Sequence, residues 1–202
     1  MMETFPAPFY EQVAMSLFET LRAAFERLME WIVIALVVAL AALVICGAAF
    51  RYAGHALDWY DEVASVGLVW LTYYGAALAA LRGAHIGVPG LVNVLPPRVR
   101  VIVTLIAEAF VFLFFGVLAV TGYQVLTVLS DSNLVSLPWV PLTLTQSVIP
   151  IGAVLFIIAE AFRLPEMLRD AAGSGFADIE MMEALEHAGI AAEQEPPNGT
   201  RP

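Results

Sequence analysis

The side chains best suited to chemistry in an apolar setting are Arg82, His85, Glu108 and Glu160. Arg82 and His85 stand three residues apart, a spacing that shares one face of a helix. Glu108 and Glu160 are the acids inside otherwise apolar runs. A carboxylate in such a run is costly unless it is paired or serves an ion path. Two roles therefore compete: a lock in which Glu108 pairs with Arg82 or hydrogen-bonds His85, and a proton or ion relay. The lock is the stronger reading, because Glu108 alone is deep and nothing continues a path beyond it.

Other chemistries fail on the inventory. The histidines are His55, His85 and His187, and no two can face one iron within a bilayer, so a bis-histidine haem is excluded. No His, Cys and carboxylate cluster has metal-ligand spacing. No Gly-Lys-Ser/Thr loop is present to cradle phosphate. No basic run resembles a nucleic-acid footprint. Cys46 is the single cysteine, so an intramolecular disulfide is impossible, and a buried apolar role is expected for it. No catalytic, cofactor-binding or metal-ligating residues are assigned, and the chain does not read as an enzyme.

The elements that hold these residues are apolar. Sixty per cent of the 202 residues are hydrophobic and 14 per cent charged, as in an integral membrane protein. The expected fold is an all-α membrane protein with four transmembrane helices preceded by an amphipathic interfacial helix. Residues 9–28 carry Leu17, Phe18, Leu21, Phe25 and Leu28 on one face and Glu19, Arg22, Glu26 and Arg27 on the other. A helix so patterned ahead of a span is expected to lie on the lipid surface.

The spans are expected over residues 31–50, 63–81, 101–129 and 142–162. Gly67, Gly75 and Ala79 mark the packing face of the second, and Pro150 is expected to kink the fourth. The domain reading is residues 1–30 for the interfacial helix, 31–163 for the bundle and 164–202 for an acidic, largely disordered tail. Phe176, Ile179, Met182 and Leu185 in that tail suit one weak amphipathic helix.

Arginine sets the orientation, since every one of the nine cationic residues is arginine. Arg22, Arg27, Arg82, Arg98, Arg100, Arg163, Arg169 and Arg201 flank one side of the four spans, and Arg51 alone occupies the other. The excess places both termini and the break at Arg82–Arg100 in the cytoplasm.

Three runs then carry a resemblance. Trp59-Tyr60-Asp61-Glu62 opens the second span, Arg82-Gly83-Ala84-His85-Ile86-Gly87-Val88 closes it, and Leu95-Pro96 precedes the third, with Arg51-Tyr52 after the first. Their order and spacing resemble the DctQ-like small membrane subunit of tripartite ATP-independent periplasmic (TRAP) transporters. Many members have an acid after the His-Ile-x-Val run, where this chain has Pro89. The resemblance covers about residues 31–163 and implies a scaffold subunit in the bacterial inner membrane. Its partners would be a large multi-span membrane subunit, a periplasmic solute-binding protein and the lipid bilayer, with no nucleic acid. The large subunit would carry the solute and sodium sites for importing small organic anions. By the same resemblance Trp59, Asp61, Glu62, Arg82, Gly83, His85 and Ile86 position helices and the subunit contact, a role that the lock reading extends to Glu108. The alternative is a self-sufficient four-helix channel or ion-coupled carrier using Glu108.

Overall fold

The computed structural model describes residues 9–83, 92–173 and 175–176, with side chains from residue 16 onward. The elements are helix α1 (Phe9–Tyr52), α2 (Tyr60–Arg82), α3 (Pro97–Val128), the five-residue α4 (Leu142–Gln146) and α5 (Val148–Ala172). Four segments are long and apolar enough to cross a membrane: Ser16–Tyr52, Tyr60–Arg82, Pro97–Val128 and Leu142–Ala172. The four membrane-capable helices read from hydropathy are therefore present.

The segments read as an amphipathic helix and as the first span form one continuous helix, α1. Residues 9–46 contain neither glycine nor proline, so nothing in the sequence stops the helix near residue 30. Its 44 residues extend about 66 Å at 1.5 Å per residue. The remaining bounds shift by a few residues, and α5 runs ten residues past the expected end of the fourth span, through Pro165, to Ala172.

Pro150 acts as expected on the fourth span, but through a break before it. A proline ring collides with the carbonyl four residues earlier, which here belongs to Gln146. The chain leaves the helix at Gln146, passes Ser147 and re-enters as α5 at Val148, so Pro150 sits in the first turn of α5. The Trp70 indole N–H donates to the Thr145 carbonyl at 2.9 Å, giving a partner to an acceptor beside the break.

The chain divides into two compact units, one drawn from Met1–His85 with Glu108–Leu164 and one from Ile86–Ala107 with Pro165–Pro202. The first has a small-residue core. Ala80 and Leu81 of α2 and Phe156 and Ala159 of α5 are buried, with Phe25 of α1 and Val111 and Phe115 of α3 against them. Phe115 and Phe156 stack with centroids 3.7 Å apart and planes 11° apart. The glycine face expected on α2 is half realised: Gly67 lies against Leu40, while Gly75 faces open space. The close approach of α2 to α5 comes instead from Gly152, where a Cβ would stand 2.7 Å from that of Tyr73.

In the second unit the start of α3 holds the end of α5. Arg100 is 4% exposed, and its guanidinium donates to the carbonyls of Ala171 and Gly173, each at 2.6 Å. Those carbonyls belong to the last turn of a helix and its continuation, where acceptors lack intrahelical partners and a cation is favoured. Asn93 then clamps Phe176, donating to its carbonyl at 2.8 Å and accepting from its amide at 2.9 Å.

Candidate functional site

Two of the three sequence runs meet the fold, as three fastenings. At the first, Arg82 ends α2 and its guanidinium turns to α1. Its Nε donates to Glu26 Oε1 at 3.0 Å, and Nη2 pairs with Glu30. Glu26 and Glu30 are four apart on α1, so one helix face offers two carboxylates to one planar fork. Arg82 thus reaches two acids of α1. His85 and Ile86 lie outside the described residues.

Beside it, Gly83 caps α2 with φ +73°, its amide bonded back to the Ala79 and Ala80 carbonyls. This left-handed cap suits glycine, and a second constraint acts on the same atom. A Cβ at residue 83 would stand 2.6 Å from Nη2 of Arg163. The Arg-Gly pair therefore does two things at once: the arginine reaches α1, and the glycine lets Arg163 of α5 lie against the end of α2.

The third fastening is at the other end of α2. Trp59 takes the N-cap position and Asp61 and Glu62 fall in the first turn, where acids are favoured. The carboxylate of Glu62 accepts from the amides of Val135 at 3.0 Å and Ser136 at 2.7 Å, pinning the loop between α3 and α4. Asp61 stands 3.5 Å from Arg51, and both are largely exposed. The Arg51 guanidinium also lies 5.9 Å from the Tyr60 ring centroid, and that ring covers Gly47 so closely that a side chain there would displace it.

Two acids are buried in the same unit. Glu108 is 8% exposed and Glu160 3%. Among the described residues, no three His, Cys, Asp or Glu side chains gather to hold a metal. The chemistry available to the fastenings is charge pairing and backbone capping, with no nucleophile or ligand cradle at any of them.

A family model for the DctQ component of tripartite ATP-independent periplasmic transporters matches residues 43–170. This chain belongs to that family. Comparison with curated proteins gives no match. As a DctQ component with four membrane-capable helices, the chain is a multi-pass membrane protein and part of a transporter, and the family is not one of enzymes. All three runs fall within the matched residues, whereas Glu26 and Glu30, which hold Arg82, precede them.

Sequence reasoning left several of these residues unassigned. Glu26 was legible only as part of the polar face of residues 9–28, and Glu30 only as an acid just ahead of an apolar run. Arg100 counted as one positive charge among eight. Asn93 and Trp70 gave no signal, because each bonds a backbone group far along the chain. Cys46, expected to be buried, is exposed on α1. A lone small apolar residue in a span does not report which side of the helix meets a neighbour.

Proposed function

We propose that this chain is the scaffold subunit of a sodium-coupled TRAP importer of small organic anions. Its partners are a large multi-span membrane subunit and a periplasmic solute-binding protein. It sits in the bacterial inner membrane with both termini and the Arg82–Arg100 break in the cytoplasm, an orientation supported by eight arginines against one. One observation carries the reading: among the described residues, Arg82, Gly83 and Glu62 of the sequence runs are engaged in fastening the chain's own helices. Arg82 holds Glu26 and Glu30, Gly83 receives Arg163, and Glu62 pins residues 135 and 136. What the bundle offers outward is apolar, as at Phe110, Leu113 and Phe114 of α3, all more than 60% exposed.

A rigid body with apolar flanks suits a role in holding another membrane protein still while that partner moves. The test is co-purification in mild detergent. The tagged chain is expected to bring down a large multi-span membrane subunit in a fixed ratio. Recovery of the tagged chain alone, from membranes that contain both, would sink the reading.

A further inference from the structure

The exposed side of α1 has a period of its own. Leu17, Leu21, Leu28, Trp31, Val38 and Ile45 are each between 52% and 71% exposed. The positions that complete an alternation of four and three residues are Ala24, Ala35 and Ala42, also exposed. A 3.5-residue apolar repeat sustained over four heptads is the pattern of one helix made to lie along another with left-handed supercoiling. In the first half of the helix the other side is in use, where Phe18 and Phe25 meet Phe162 and Glu26 and Glu30 hold Arg82. In the second half Ile34, Val37 and Val44 on other sides are exposed as well.

Lipid tails cannot cover the whole of this line. From Leu17 to Ile45 it runs about 42 Å at 1.5 Å per residue, against a hydrocarbon core about 30 Å thick. The excess falls at the N-terminal end, where Glu19, Arg22, Glu26, Arg27 and Glu30 place the helix outside hydrocarbon. Leu17, Leu21 and Leu28 are exposed there. Because α1 is unbroken, its first half cannot lie flat in the headgroups while its second half crosses the bilayer. The large side chains of the line offer on the order of 800 Å², the share one partner contributes to a stable interface.

Trp31 decides between two protein occupants. It stands at the midpoint of the line and is 71% exposed. Two copies of this chain in one membrane share an orientation, so their α1 helices would pair in parallel. Trp31 would then face Trp31, and alanines would face alanines across voids. A different helix, small opposite Trp31 and bulky opposite Ala24, Ala35 and Ala42, fills every layer.

We propose that this line of α1 is the docking seam for one long apolar helix of the large membrane subunit, a helix that continues past the bilayer beside Leu17–Leu28. The proposal rests on the scaffold reading above and adds to it the surface and the shape of the partner.

The experiment co-expresses the full chain, carrying Cys46→Ser, with the large subunit and places single cysteines for a short thiol-directed photo-crosslinker. Leu21→Cys, Leu28→Cys, Ala35→Cys and Ala42→Cys lie along the seam, while Val37→Cys and Val44→Cys are exposed on another side of α1. Adducts with the large subunit are expected at least tenfold more often from the seam than from the other two. Ala35→Trp is expected to cut the recovered large subunit at least tenfold while leaving helicity and membrane insertion unchanged. Adducts to a second copy of the chain would overturn the proposal in favour of a homodimer. If the large subunit co-purifies but the seam cross-links no better than Val37 and Val44, the seam is wrong and the scaffold role stands. If the unmodified chain never co-purifies with it, both fall.

Discussion

Gly83 is the residue at which two demands coincide. Its φ of +73° would cost a side-chain-bearing residue about 1–2 kcal/mol. A Cβ there also meets the Arg163 guanidinium. Gly83→Ala is expected to destabilise the purified chain by about 2 kcal/mol. In an Arg163→Ala background the loss should shrink toward the backbone contribution alone, which thermal unfolding of the four proteins of that cycle would show. Equal losses in both backgrounds would mean that the Arg163 contact does not constrain the site. The neighbouring Arg82 cluster is partly exposed, so its pairs with Glu26 and Glu30 contribute no more than about 1 kcal/mol each. Its value lies in orientation, since one guanidinium fixes the rotation of α1 against the end of α2. The motif arginine and glycine were legible in the sequence as a pair, but their partners were not. Arg82 reaches Glu26 across 56 residues, and no local pattern encodes a contact of that separation.

At the scale of elements, two side chains tie the ends of helices to distant backbone. Glu62 at the start of α2 receives two amides of the loop between α3 and α4. Glu62→Ala is expected to speed hydrogen exchange at Val135 and Ser136 at least tenfold, with exchange in the middle of α2 unchanged. Arg100 does the converse, donating to carbonyls at the end of α5. Charge-assisted hydrogen bonds of this kind contribute about 1.5–3 kcal/mol each. Arg100→Met is therefore expected to release residues 171–176 to proteolysis while the helix core of the first unit stays protected, as limited digestion would show. Cleavage in that segment at the wild-type rate would remove Arg100 from this role. The spans themselves were readable from hydropathy, because crossing a bilayer demands about 20 apolar residues without a break. Pro150 announced a kink, and the structure shows a break at Ser147 just ahead of it. The unity of α1 was harder to see, because a change from amphipathic to uniformly apolar pattern looks like a boundary. The backbone, lacking glycine or proline there, has no reason to stop.

For the whole molecule, membership of the DctQ family gives a transporter context to four membrane-capable helices, and the fastenings tie helix ends within each unit. Long apolar faces are what such a body presents, and the seam on α1 is the one whose period and length suit a partner helix. The buried Glu108 and Glu160 belong to the same packed unit as Arg82 and Glu62, consistent with a part in holding that unit together. The central claim is that this chain supports transport without carrying the solute. It is tested most directly by sodium-driven solute uptake into proteoliposomes that hold this chain, the large subunit, both or neither, with the solute-binding protein added outside. Uptake is expected only where both membrane subunits are present. Uptake by vesicles holding this chain alone would contradict the account.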